Sequence, residues 1–125
     1  MKKKSGNPSF IYGTAWKTER TTDLVQLAVK TGFQAIDTAN QPKHYSEALA
    51  GEALEILSSE GVSRKDLFLQ TKFTPLDGQD HRVPYNPDAS LEEQVRESFE
   101  SSLRHLKTDY LDSYLLHGPY TYPGL

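Results

Sequence analysis

Four short apolar runs alternate with three longer segments of helical spacing along the chain, and no other feature of the sequence narrows its fold so far. Strands that take turns with helices are joined in parallel, because each helix carries the chain back across the sheet. The first run, Phe10-Ile11-Tyr12-Gly13-Thr14, follows the turn-forming Gly6-Asn7-Pro8. Over residues 22–31, Leu24, Leu27 and Ala28 recur at helical intervals, a threonine caps the start, and Gly32 stands at the stop, where φ > 0 is required. A second strand is predicted over residues 33–39. After a loop containing Pro42, residues 46–58 read as a helix with Leu49, Ala53, Ile56 and Leu57 on one stripe and Gly61 as its stop. Residues 67–73 form the third strand, rich in β-favouring side chains. Residues 74–89 carry Pro, Asp and Gly without any period, and a loop of that length is functional or mobile. The third helix opens on a capping box of Ser90 and Glu93; Leu91, Val95, Phe99, Leu103 and Leu106 line one face, flanked by Glu92–Arg96 and Glu100–Arg104 pairs. Residues 110–116 make a fourth strand, ended by His117-Gly118-Pro119. The class is α/β with parallel strands.

A chain of 125 residues builds one core, here assigned to residues 10–125 behind a flexible basic and polar tail over residues 1–9 that holds Lys2-Lys3-Lys4. Lys plus Arg number 14 against 17 Asp plus Glu, a net charge of -3 that argues against nucleic acid or an anionic membrane as partner. The absence of cysteine excludes disulfide scaffolds, thiolate zinc sites and a cysteine nucleophile. No apolar run approaches the ~20 residues of a membrane span, and the N-terminus lacks the apolar stretch of a secretory signal, so a soluble, cytoplasmic protein is expected. His44, His81, His105 and His117 show no metal-ligand spacing, and no metal is predicted.

Parallel βα units place their chemistry at the carboxyl ends of the strands. Those ends carry Thr14 and Trp16, then Asp37, then Lys72, then His117. The last three each follow apolar residues, where a charge is costly unless paired. Taken singly each has a structural reading: Asp37 as a cap, Lys72 snorkelling, His117 as a satisfied core histidine. Right-handed crossovers set consecutive strands side by side, which would bring all three to one rim.

The blocks Gly13-Thr14-Ala15-Trp16, Gly32-Phe33-Gln34-Ala35-Ile36-Asp37-Thr38-Ala39, His44-Tyr45-Ser46-Glu47 leading to Gly51-Glu52-Ala53-Leu54, Lys72 within Phe68-Leu69-Gln70-Thr71-Lys72-Phe73, and His117 within Tyr110-Leu111-Asp112-Ser113-Tyr114-Leu115-Leu116-His117 stand in order along residues 10–118. In this series the chain resembles the N-terminal half of an aldo-keto reductase. The resemblance implies the first four units of a (β/α)8 barrel and NADP(H)-dependent reduction of a small aldehyde or ketone. It makes Asp37, Tyr45, Lys72 and His117 the catalytic tetrad, sets Thr14 and Asp37 against the cofactor, and sets Trp16 and His117 against the substrate, although an aromatic near a strand end serves equally as core. One departure stands out: Asn40-Gln41-Pro42-Lys43 lengthens the interval between Asp37 and Tyr45 beyond that of many members.

By that resemblance Tyr45 is the general acid, its pKa lowered by the Lys72 ammonium and partly restored by Asp37, while His117 orients the carbonyl. Most cofactor contacts in the family come from the second half of the barrel. Four units also leave the barrel-filling face and two sheet edges uncovered. Three readings stay open: a reductase by descent, present as a truncated product or incomplete gene model; a half-barrel that pairs with itself or with a complementary half; and a noncatalytic interaction module.

Overall fold

A computed structural model describes residues 6–118; the Lys2-Lys3-Lys4 segment and the residues after Gly118, Pro119 included, lie outside it. Four strands, β1 (Tyr12–Gly13), β2 (Ala35–Asp37), β3 (Phe68–Phe73) and β4 (Ser113–Leu116), form one parallel sheet in sequence order. Helices α1 (Thr21–Thr31), α2 (Glu47–Ser59) and α3 (Leu91–Leu106) connect them. The α/β class with four parallel strands is therefore as expected. The first two strands are shorter than residues 10–14 and 33–39, yet the ladder runs past their formal ends through Thr14 N to Asp37 O (3.1 Å) and Thr38 N to Gln70 O (2.9 Å). Among the described residues no helix is long and apolar enough to cross a membrane.

The core lies between sheet and helices, built on Val25 and Val29 of α1, Ile36 and Leu69 of the sheet, Ala53 and Leu57 of α2, and Leu106 of α3. Each helix is turned from the face its apolar spacing predicted. In α1 the sheet takes the small and β-branched Val25, Ala28 and Val29, while Leu27 is 61% exposed. Five apolar residues in under two turns cannot all face inward, and the smaller ones permit closer approach. In α2 the buried face is Ala50, Gly51, Ala53, Leu54 and Leu57, and Ile56 lies outside it. Here the cause is Gly51: a Cβ at that position would sit 1.9 Å from the His105 carbonyl oxygen of α3. Only a glycine lets the two backbones meet so closely. Helix α3 answers with Gln94, Ser98, Ser101 and Ser102, and its apolar stripe is left half-buried, with Phe99 set edge-to-face on Tyr114 at 5.2 Å.

Ser102 has a second task. Glu47, at the first turn of α2, is 4% exposed, which a carboxylate tolerates only with partners. It accepts from Thr71 Oγ1 of β3 and from Ser102 Oγ (2.8 Å), and its other oxygen lies 2.9 Å from His105 Nδ1. At the opposite end of the sheet Arg64 donates to Thr108, Leu67 O, Tyr110 O and Asp112, while Asp112 accepts from Leu69 N at 2.9 Å, pinning the register of β3 and β4.

Helix ends follow the sequence in part. Gly32 closes α1 at φ 123°. Ser46 caps α2 by accepting from Leu49 N, and Ser90 caps α3 by accepting from Glu93 N. The return half of the predicted capping box is absent, because Glu93 turns its carboxylate to Arg96. Glu92–Arg96 forms at 3.4 Å, whereas Glu100–Arg104 is not among the ion pairs of the described residues. The long loop is tied down: Tyr85, 5% exposed, stacks on Phe73 and donates to Thr74 O at 2.8 Å, and Asn86 N donates to Glu97 Oε1.

Gly51→Ala is expected to cost about 1–3 kcal/mol through overpacking at the α2–α3 crossing. Urea unfolding measures it, and an unchanged midpoint would contradict the close approach.

Candidate active site

Parallel register puts alternate residues of neighbouring strands on the same face of the sheet. Gly13, Asp37, Gln70 and Ser113 are register partners in turn, so they form one row on the face away from the helices. Lys72 lies two residues further along the same face. The row is hydrogen-bonded through its side chains from β4 to β2: Ser113 Oγ donates to Gln70 Oε1 (2.8 Å), and Gln70 Nε2 donates to Asp37 Oδ1 (2.9 Å). Lys72 Nζ then reaches Asp37 Oδ1 and Oδ2 at 2.7 and 2.8 Å and Thr38 O at 2.9 Å. Only 12% of the Lys72 side chain and 17% of the Asp37 side chain remain exposed.

Tyr45 comes from the loop before α2, and its ring centroid lies 5.0 Å from Lys72 Nζ. The extra residues that precede it are a bracket. Asn40, 2% exposed, donates to Ser98 O; Gln41 donates to Gly78 O at 2.7 Å; and the Gln41 carbonyl accepts from both His44 N and Tyr45 N. The longer interval therefore delivers Tyr45 on a fixed turn. His117 arrives from the end of β4, its N bonded to Phe73 O (2.8 Å) and its Nδ1 2.9 Å from Thr74 Oγ1. Its ring meets Tyr45 edge-to-face at 5.7 Å. Asp37, Tyr45, Lys72 and His117 thus converge on one rim, at the carboxyl ends of the strands.

The electrostatics depart from expectation at one point. The Tyr45 phenol is pushed above its ordinary 10.0 by burial and by the Asp37 charge, not lowered. An ammonium has three protons, and Lys72 gives all three to Asp37 and Thr38 O. At the phenol its field is outweighed by burial and by the Asp37 charge. His117 is lowered from 6.5 by burial and then by Lys72, which makes the ring neutral at pH 7. The rim therefore offers a protonated phenol and an uncharged imidazole beside a compensated ion pair, a set suited to giving a proton to a developing oxyanion.

Thr14 is not on the rim surface. It is fully buried, and its hydroxyl and N–H both bond the Asp37 carbonyl (2.9 and 3.1 Å), so it buttresses Asp37 from behind. Trp16 is 70% exposed and stacks on His44 with centroids 3.9 Å apart. Its backbone φ of 62° is unusual for a large residue and is held by Trp16 N to His44 O at 2.8 Å. Trp16, His44 and Tyr45 line a cavity of about 490 Å³ with Pro42, Leu49 and Arg82, beside the rim. Sequence reasoning assigned no role to His44, Gln70, Ser113 or Thr74. Period-two spacing from Lys72 back to Gln70 was the available signal for one of them. Nothing in the sequence signals the Thr74–His117 contact, which the sheet alone creates.

Removing one partner of the ion pair leaves the other buried and uncompensated, so Lys72→Met is expected to cost about 3–5 kcal/mol in chemical unfolding. Adding Asp37→Asn should recover part of that loss; strictly additive costs would mean the pair is not coupled. His117 should titrate below 6.5 by NMR. Because its native pKa is depressed, its contribution to stability is full above the unfolded value of about 6.5 and disappears as pH falls through the native pKa. A midpoint above 6.5 would contradict the burial argument.

The model of the Aldo/keto reductase family matches residues 7–123. The chain is 36% identical over 101 residues to methylglyoxal reductase DkgA of Escherichia coli (strain K12), covering 81% of this chain and 30% of that protein. It is 31% identical over 108 residues to NAD(P)H-dependent D-xylose reductase of Pachysolen tannophilus, covering 86% and 30% respectively. An aldo-keto reductase enzyme from a Medee basin deep-sea metagenome library has a solved structure that matches with a TM-score of 0.68 at 27% identity, over 93% of this chain and 37% of that one. The chain spans about 30% of the length of these curated relatives. Its sheet of four parallel strands in sequence order, the family match over nearly all its length and the agreement with that solved structure lead to one conclusion: the chain belongs to the aldo/keto reductase family and forms the N-terminal part of its barrel.

Proposed function

We propose that this chain carries the acid–base rim of an NADP(H)-dependent reductase of small aldehydes or ketones. The single observation that carries the reading is the convergence of Tyr45 with Lys72 and His117, at 5.0 and 5.7 Å, over the Asp37–Lys72 pair. Tyr45 is the general acid. A developing alkoxide is more basic than a phenolate, so the proton moves from Tyr45 Oη to the carbonyl oxygen even with the phenol above its ordinary value. His117 orients that oxygen with a hydrogen bond, Lys72 and Asp37 hold a fixed dipole beneath it, and Trp16 supplies an apolar wall.

The nicotinamide cofactor, when bound, supplies the hydride. The rim fits one end of such a group: Asp37 presents carboxylate oxygens suited to a sugar hydroxyl, and beside it in register a Cβ on Gly13 would meet no atom within 4 Å. We assign the phosphates to no residue of this chain. NADP(H) over NAD(H) and the carbonyl class both rest on the family and its reductase-named relatives.

Turnover of methylglyoxal with NADPH should fall by about 10²–10⁴ in Tyr45→Phe. Unchanged turnover would remove Tyr45 from this role. Since reduction needs the protonated phenol and burial raises its pKa, the reductive rate should not decline through this group until above pH 10.

A second reading concerns partners. Leu115 and Leu116 of the outer strand are 42% and 56% exposed, and among the described residues β1 and β4 each have one neighbouring strand. Such surface calls for a complementary half-barrel or a second copy of the chain. Light scattering of the chain alone should then give a discrete dimer, and a soluble monomer that unfolds cooperatively would sink this reading.

A further inference from the structure

The hydroxyl of Thr74 lies 2.9 Å from Nδ1 of His117, and it makes no other bond among the described residues. Thr74 is 1% exposed, so water does not complete its hydrogen bonding. That decides which group donates. Were Nδ1 protonated, the ring would donate to Oγ1 and the buried hydroxyl proton would be left without an acceptor, a loss comparable to a missing hydrogen bond. With Nδ1 bare, the hydroxyl donates to it and both groups are satisfied. The single proton of the neutral ring then sits on Nε2.

We propose that Thr74 is a positioning residue whose hydroxyl donates to Nδ1 of His117 and holds the imidazole as the Nε2–H tautomer, presenting a donor to a carbonyl oxygen. The inference about the tautomer stands on geometry, and its catalytic consequence rests on the reductase reading above. Thr74 is built for the task. Its carbonyl accepts from Tyr85 Oη at 2.8 Å and from Gln79 Nε2 at 3.3 Å, which fixes the backbone. Its methyl group packs where Gly78 has no side chain: a Cβ there would lie 2.7 Å from Thr74 Cγ2. Gly78 is held in turn by Gln41 Nε2. A β-branched side chain has few rotamers, and with the methyl placed the hydroxyl direction follows. The ring is hung from β3 and its extension at two points, His117 N on Phe73 O and Nδ1 on Thr74. Burial and the Lys72 charge keep it neutral, so tautomer choice, not protonation, sets which edge donates.

Long-range ¹⁵N–¹H NMR of the chain at pH 8, with His117 assigned by its loss in His117→Gln, should show a pyridine-like Nδ1 and a pyrrole-like Nε2. Thr74→Ser keeps the hydroxyl and should preserve that pattern. Thr74→Val keeps the shape and removes the donor, and its two ring nitrogens should move toward averaged shifts. A protonated Nδ1 in the unsubstituted chain, or shifts unchanged in Thr74→Val, would overturn the proposal whatever the activity. In turnover, Thr74→Val should lower kcat about tenfold or more with KM nearly unchanged, and Thr74→Ser should restore most of it. An unsubstituted chain with the Nε2–H pattern but no turnover would count against the reductase reading and leave the Thr74 assignment supported.

Discussion

An ammonium and a carboxylate placed at the mouth of a parallel sheet must meet each other or neutralise, and the Asp37–Lys72 pair is the constraint on which the rest of this rim depends. Two contacts at 2.7 and 2.8 Å across neighbouring strands tie the ends of β2 and β3 together more firmly than the ladder alone. Supporting groups close around the pair. Gln70 and Ser113 extend it along one register row to β4, Thr38 O takes the third ammonium proton, and Thr14 anchors the Asp37 carbonyl from the buried side. Each of these is a polar group that would be expensive in a dry core and is satisfied by its neighbour. The face of the sheet away from the helices is polar along this row because the pair requires it.

A second buried charge organises the helix layer in the same way. Glu47 begins α2 directly after Tyr45 and Ser46, and its partners come from β3 and from two residues of α3. Ser102 of α3 is buried against it, and Gly51 one turn later lets the helices close to backbone contact. Tyr45 therefore sits between two charge centres. Its loop is fixed on one side by the Gln41 turn and on the other by the first turn of a helix locked through Glu47.

The strand–helix alternation, the order of the strands and the stops at Gly32 and Gly61 were all legible, because they depend on local periodicity and on backbone angles that few residues adopt. The identities of Asp37, Lys72 and His117 were legible for a related reason: each is a polar residue at the end of an apolar run. Helix faces were not. Leu27 and Ile56 fit their stripes by spacing, yet the inner positions went to Val25 and Gly51, since closeness of approach and not hydrophobicity chose between adjacent faces. Thr14 illustrates the same limit. A threonine at a strand end reads equally well as a ligand contact or a buttress, and only the direction of its side chain separates them. Thr74 and Ser113 acquire meaning from residues 43 positions away, which no window along the chain connects.

The direction of the Tyr45 shift follows from the same accounting of charge. An ammonium lowers a neighbouring phenol only by the field that remains after its own counterion is subtracted. Here burial is the larger cause of the rise, and the bidentate counterion, closer to the ammonium than the phenol is, adds the Asp37 charge to it. A site of this design keeps its proton until a stronger base appears. In the proposed reduction, carbonyl oxygen becomes such a base only as it gains negative charge, and the phenol would give up its proton late, to the transition state rather than to solvent. Stabilising the ion pair and holding the acid in reserve are thus one arrangement, and loosening the Asp37–Lys72 contact would disturb both.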